Sequence, residues 1–324
     1  MSLPTNTTTT YAEVGNREDL SDMIYRIDPV DTPFMTGADK TKATAVNHEW
    51  QTQALAAANG GNAQLEGDDP QSGALTPTVR LGNICQISYK VAQVSGTAQA
   101  VDHAGRDNEL AYQEMLKGLE LKRDMETVLV GTNQAKNTGS TTVARTTASV
   151  LSWLKSNTDK NSASSGTAGA DPAAADGTGT RTDATNLIPF TESRLKGVLS
   201  SIWINGGKPN KIMTGAFNKQ VFSTFTGRAS PIEEAKSKKI VASVDAYDSD
   251  FGELKVVANR FMRTRDVLVL EDDKWAVAYL NGRKLVSLVL AKTGDSDKRQ
   301  ILSEYNLEAR NEKSSGGIFD CTNS

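Results

Sequence analysis

Leu20, Met23, Ile24 and Ile27 fall at i, i+3, i+4 and i+7, so they share one face of a helix. Asn16 followed by Asp19 makes a capping-box-like start and Pro29 stops the run, which predicts a helix over 17–28. A Ser/Thr/Asn-rich tail precedes it. Pro29 and Pro33 bias the chain after it toward an extended arm. The period then changes to two. Val46, His48 and Trp50 lie on one side of a predicted strand over 44–53, with Asn47, Glu49 and Gln51 on the other. Over 79–94, Leu81, Cys85, Ile87, Tyr89 and Val91 share a face, and a polar, glycine-rich stretch separates the two runs. The pair reads as a long β-hairpin, which is marginal alone and must lie on another surface.

A 3.6-residue period returns over 103–131. Tyr112, Met115, Leu116 and Leu119 form a stripe continued by Leu121, Met125, Val128 and Leu129, with charged residues on the wet side. At 1.5 Å per residue this helix reaches roughly 40 Å, the width of a domain. Residues 132–186 shift to Thr, Ser, Gly, Ala and Asn and read as an exposed low-complexity insertion, with one or two helical turns at "SVLSWLK". After Thr191 the pattern is α/β. A weak capping box, with Arg194 where an acid is usual, opens a helix carrying Leu195, Val198, Leu199 and Ile202. "KIMTG" reads as a strand, "FNKQVFSTF" as a helix, and "KKIVASVDAYDSDFGELKVVANRFM" as a hairpin turning at 250–252. Two more strands follow. The last strand points Ile301, Ser303, Tyr305, Leu307 and Ala309 one way and Glu304, Glu308 and Arg310 the other. The fold class is α+β.

With 324 residues the chain can bury a sizeable core. A net charge of -3 excludes a generally basic face for gripping nucleic acid. Cys85 and Cys321 are too far apart for a CxxC motif and fit a reducing compartment. No apolar run approaches the ~20 residues of a membrane span, and "MSLPTNTTTT" lacks the features of a secretory signal. Chemistry is sparse. His48 and His103 form no HExxH, and "HEW" lies in a strand pattern. "NGGKPN" lacks phosphate-loop spacing, and "GTGT" at Gly177 follows no strand. Ser296 in "GDSD" has no histidine after it to act as base. The acidic runs at Gly67 and Glu271 lack calcium-loop spacing. No catalytic, metal or cofactor constellation is predicted. An amphipathic arm, a long hairpin and an insertion are instead the parts expected where neighbours complete each other's cores.

The element order of arm, hairpin, long helix, α/β block and late long strand resembles that of major capsid proteins of tailed bacteriophages, which share the Hong Kong-97 fold. "EDLSDMIYRIDPVDTPFMT", "HEWQTQALAAA", "SDFGELKVVANRFM", "WAVAYL" and "LAKTGDSDKRQILSEYNLEARNEKSSGGIFD" are similar to major head proteins of a large-headed podovirus family. The resemblance covers nearly the whole chain and implies an N-terminal arm over 1–42 and an extended hairpin loop over 43–100. It further implies a peripheral-domain spine helix within 101–131, the insertion 132–186, an axial domain over 187–292 and a peripheral long strand over 293–324. No fused scaffold is expected. The implied function is a structural subunit that assembles into hexamers and pentamers of an icosahedral head around double-stranded DNA. Its implied partners are neighbouring copies, a portal, and separate scaffolding or decoration proteins. DNA contact would be non-specific, and no membrane is involved. The implied location is the virion, after synthesis in the host bacterial cytoplasm.

The residues expected at subunit interfaces are Leu20, Met23, Ile24 and Ile27 on the arm, and Trp50 and Tyr89 under the hairpin. Glu304, Glu308 and Arg310 are expected to set subunit register. Two rival readings stay open: a tail or adhesion component forming small oligomers, and a hydrolase using Ser296 or a carboxylate pair.

Overall fold

The computed structural model describes residues 31–323 apart from 70–72, 74, 104, 163–164 and 226–245. The helix predicted over 17–28, with Leu20, Met23, Ile24 and Ile27, lies outside the described residues, as does the start of the hairpin predicted before Ala246. The described chain opens with α1 (Pro33–Gly37), β1 (Asp39–Ala43), β2 (Asn47–Thr52), β3 (Val79–Ile84), β4 (Gln86–Ser95) and α2 (Gly96–Ala100). The long helix α3 (Glu109–Glu126) runs on into a π-helical turn, Thr127–Gly131. Next come α4 (Val150–Trp153), β5 (Thr158–Asp159), α5 (Glu192–Ile204), β6 (Lys211–Thr214) and α6 (Ala216–Phe222). Strands β7 (Ala246–Ser249), β8 (Gly252–Ala258), β9 (Val267–Leu270), β10 (Trp275–Leu280) and β11 (Val286–Val289) lead to the 14-residue β12 (Ser296–Ala309) and finally β13 (Gly316–Ile318).

β12 is the axis of the first sheet. One edge pairs antiparallel with β4, from Ser296↔Ser95 to Tyr305↔Gln86. The other edge takes β11 and then β10, and β1 adds to β10 in parallel. The second sheet has the order β5-β13-β9-β6-β8-β7. The hairpin is the separate β2–β3 ladder, with Trp50 opposite Leu81.

Two cores are buried, and the first also takes in Met213, Leu268 and Leu270 from one face of the second sheet. Leu121, Met125 and Leu129 from the α3 side meet Ile301, Tyr305 and Leu307 of β12, together with Phe34, Trp153 and Trp275. The α5 residues Leu195, Val198, Leu199 and Ile202 pack with Val256, Val267 and Val269 of the second sheet. Burying an aliphatic side chain of this size stabilises by about 1.5–3 kcal/mol, so each stripe fixes its helix to its sheet.

The structure corrects several sequence readings. α3 begins at Glu109 rather than 103, because Asn108 caps it by accepting a hydrogen bond from the Ala111 N–H and Gly105 sits at φ 75° just upstream. Pro33 starts the α1 turn, as proline at a first helical position does, so the arm is not extended there. The run 79–94 is two strands that change partners at the buried Cys85: β3 pairs with β2, and β4 with β12. Ile87, Tyr89 and Val91 face outward, and their neighbours Ala92 and Val94 are buried instead. β10 and β11, placed by sequence in the α/β block, belong to the first sheet, whereas the C-terminal β13 joins the second.

The stretch 132–186 is not simply an exposed insertion. Ala148, Val150, Leu151, Trp153 and Leu154 are fully buried in the first core, and β5 forms the edge of the second sheet. Its irregular backbone is satisfied piecewise: Gln134 donates to Thr147 O at 2.7 Å, and Ala148 N donates to Asn83 Oδ1 at 2.9 Å. Trp153 is the anchor, 5.5 Å from the Trp50 ring. Trp153→Ala is expected to cost about 3–5 kcal/mol in urea unfolding, whereas a truly surface-lying insertion would register below about 0.5 kcal/mol.

Candidate functional site

The sequence elements that look detachable, arm and hairpin, are tied to the body by buried carboxylates. Glu126, at the end of α3, is buried and accepts hydrogen bonds from Phe34 N at 2.8 Å, Met35 N at 2.9 Å and Asn259 Nδ2 at 2.7 Å. One side chain thereby joins the arm, the long helix and the loop after β8. Burial pushes the Glu126 carboxyl above its usual range, against the pull of these donors. Beside it, Lys211 pairs with Asp272 at 2.7 Å, and Lys211 Nζ lies where a Cβ at Gly37 would stand.

The second anchor is Glu308 on β12. Its carboxylate accepts from Thr41 Oγ1 at 2.9 Å and Arg310 Nε at 3.0 Å and lies 3.3 Å from His48 Nε2. Arg310 also reaches Asp39 at 2.5 Å. Burial alone would raise this carboxyl, but the bonds from His48, Arg310 and Thr41 outweigh it and hold it down at about 2. Trp50 completes the attachment by donating from Nε1 to Ala309 O at 2.9 Å. Glu304 is likewise occupied within the chain, by Arg283 and by Arg145 at 3.6 Å. Thus Trp50, Glu308 and Arg310 are brought together inside one subunit, while Glu304 is engaged separately by Arg283 and Arg145. The Trp50, Glu308 and Arg310 contacts hold the hairpin and β1 against β12.

A third cluster went unread in the sequence. Asp320 accepts from Ala184 N at 3.0 Å, Asn161 N at 3.2 Å and Arg265 Nη2 at 2.6 Å, fastening the C-terminal segment to the 132–186 stretch. Arg181 is buried with its guanidinium 3.4 Å from the Phe319 ring centroid, and it pairs with Asp171 at 2.7 Å. Asp266, 3.0 Å from Arg263, is so enclosed that burial pushes it up to about 7 despite its arginine neighbours. Isolated charges in a Gly/Ser/Thr-rich tract carry no periodic signal that would reveal such contacts.

What faces outward is apolar. Tyr89 is 58% exposed on β4, and the long connection between β2 and β3 carries Leu55, Leu65 and Leu75 at 97%, 80% and 95% exposure. Elsewhere, Ser296 Oγ accepts from Gln93 Nε2 at 3.0 Å, while the His103 ring contacts Ala98 O and His48 contacts Glu308. None of these bonds joins Ser296 to a histidine base. Among the described residues no group of three His, Cys, Asp or Glu side chains gathers to hold a metal, and no helix is long and apolar enough to cross a membrane.

A tied-down hairpin bearing bare leucines suits a lattice protein, and comparison with known proteins agrees. The family model described as SU10 major capsid protein matches residues 3–322. The chain belongs to that family. The major capsid protein of Escherichia phage Phieco32 is 27% identical over 341 residues, spanning 95% of each chain. Among solved structures, the capsid of a native GTA particle superposes with TM-score 0.64 at 10% identity, covering 98% of this chain and 100% of the other. The capsid of Cyanophage A-1(L) gives TM-score 0.63 at 13% identity, covering 97% and 98%. The SU10-type chain therefore has the Hong Kong-97 capsid fold, is a phage major capsid protein, and is a structural component of the virion.

The Glu308 anchor has a pH signature. A carboxyl whose folded pKa lies below its unfolded value adds stability above the unfolded value and loses it as pH falls. Here the window runs from about 4.5 down to about 2. Glu308→Gln is expected to lower stability by about 2–3 kcal/mol at neutral pH. The difference from wild type should close as pH falls toward 2, as read by chemical denaturation across the acid range.

Proposed function

We propose that this capsid protein forms hexamers and pentamers of a closed icosahedral head around double-stranded DNA, after synthesis in the host cytoplasm. The observation that carries the reading is the β2–β3 hairpin. Its base is locked to β12 through Trp50 and the His48–Glu308 contact, while its far connection exposes three leucines that its own subunit does not cover. Leucines held out from a fixed base are suited to bury against an adjacent subunit. The arm residues Leu20, Met23, Ile24 and Ile27 take the same role, docking on a neighbour. Tyr89 adds outward apolar surface.

In this scheme the subunit is structural and carries out no catalysis. Its further partners are a portal and separately encoded scaffolding or decoration proteins. Contact with packaged DNA is non-specific, in keeping with the net charge of -3. One of the solved relatives, from phage G, is described together with decoration proteins.

Electron microscopy of the purified protein, expressed alone or with a scaffold, tests the reading. Closed shells or six- and five-membered rings are expected, and a protein that stays monomeric under all such conditions refutes it. Leu20→Asp combined with Ile24→Asp is expected to leave thermal unfolding unchanged within about 2 °C, since a surface change lies within about 0.5 kcal/mol, yet abolish closure.

A further inference from the structure

The loop between β8 and β9 meets the 132–186 stretch and the C-terminal segment at a buried cluster of charges, and one member of that cluster is left out of its pairing. Asp266, at the end of the loop, is 1% exposed. Its own loop sets Arg263 and Arg265 beside it, and the 132–186 stretch adds Arg181 and Asp183. The C-terminal segment adds Asp320 and the Cys321 thiol. The arginines have better partners elsewhere. Arg263 Nη2 donates to Asp183 Oδ1 at 2.5 Å, and Arg265 Nη2 donates to Asp320 Oδ1 at 2.6 Å. Arg181 Nη1 pairs with Asp171 at 2.7 Å, and Arg194 of α5 turns to Asp159 and to Cys321 Sγ. Asp266 keeps only Arg263 Nε, 3.0 Å from its Oδ2 but off the hydrogen-bond line. Among the described residues neither Asp266 oxygen completes a hydrogen bond, and the Nε groups of Arg181 and Arg265 are buried without an acceptor. A buried carboxylate that accepts no bond is costly, and the cost falls on its ionised form.

We infer that this cluster is a proton-operated clasp: with Asp266 neutral the three segments stay joined, and as it ionises the C-terminal segment and the 132–186 stretch come loose from the β8–β9 loop. The carboxyl is pushed from 3.8 up to about 7, chiefly by burial, with Asp183 adding to the rise and Arg263, Arg181 and Arg265 opposing it. The closed clasp therefore holds a proton that an open, hydrated Asp266 has already released. Closure is strongest at low pH and weakens as pH rises from 3.8 to about 7, above which both states are ionised and the loss is complete. Within that window opening grows by up to about tenfold per pH unit. The Glu308 anchor has the opposite sign and acts below about 4.5, so the two are separable above pH 5.

Hydrogen exchange read by mass spectrometry on the full-length chain, corrected for the intrinsic pH dependence of exchange, tests this directly. Two amides report on the join: Ala184 N, which donates to Asp320 Oδ1, and Cys321 N, which donates to Arg265 O. Their peptides should lose protection by about tenfold or more between pH 5 and pH 8, while peptides of the β4–β12 ladder keep theirs. Asp266→Asn, which cannot ionise, should hold its pH 5 protection up to pH 8. Asp183→Asn removes a like charge and frees Arg263 for Asp266, so the midpoint of the profile should move to lower pH. A flat wild-type profile overturns the clasp by itself. So does a loss of protection that persists undiminished in Asp266→Asn, or a midpoint that Asp183→Asn leaves in place.

Discussion

The subunit depends on one buried carboxylate. Glu126 lies where the long helix that carries it meets the arm and the loop after β8, and it gives those two a hydrogen-bond acceptor that water cannot reach. The first N–H groups of α1 have no partner within so short a helix, and Glu126 supplies it. Removing that side chain would leave two backbone donors and the Asn259 amide unsatisfied in the core, a far larger loss than the net value of the bonds themselves.

The long strand β12 plays the matching part for the rest of the molecule. Its first ten residues hold β4, its other edge carries β11 and β10, and its end holds the hairpin through Glu308, Arg310 and the Ala309 carbonyl. The chain then crosses into the second sheet as β13. The two cores are thus joined by the C-terminal segment, with Asp320 and Arg265 closing the join. The Glu304 and Glu308 networks in the second half of β12 are engaged within the subunit, so they act as fasteners. The exposed leucines, Tyr89 and Met115 are among the large apolar side chains left outward by the subunit.

The elements that were legible in the sequence are those whose period the core enforces. The α5 stripe and the hairpin strand β2 repeat or alternate because one face is buried, whereas β6, β9 and β10 are buried on both faces and read as short continuous apolar runs. The order of elements, together with sequence phrases such as "HEWQTQALAAA" and "SDFGELKVVANRFM", placed the chain among phage capsid proteins. Burial by chemistry was not legible. Glu304 and Glu308 alternate as if wet but lie inside, paired with Arg283, Arg145, Arg310 and His48. Ile87, Tyr89 and Val91 alternate as if buried but face out. In both cases the deciding partner is far away in the chain, or in another chain, and a local window cannot contain it. The tract 132–186 fails for a related reason: its order comes from single anchors such as Trp153 and Arg181 and from side-chain bonds to irregular backbone.

These misreadings separate two kinds of apolar surface. Apolar residues buried by their own chain are matched by close-packed partners on the same sheet or helix. Those left outward, Tyr89 on β4, the hairpin leucines and Met115 on α3, lie on three different elements of the subunit. A closed two-fold dimer needs a single self-complementary patch, whereas a ring or lattice needs unlike patches that meet in a repeating head-to-tail sense. Apolar surface dispersed over a hairpin, a sheet face and a helix suits the second geometry. It requires each patch to be held at a fixed angle to the others, since small errors accumulate around a ring. Glu126 and Glu308 meet that requirement: by fixing the arm and the hairpin to the same two-core body, they turn appendages that would be marginal alone into contacts with defined direction.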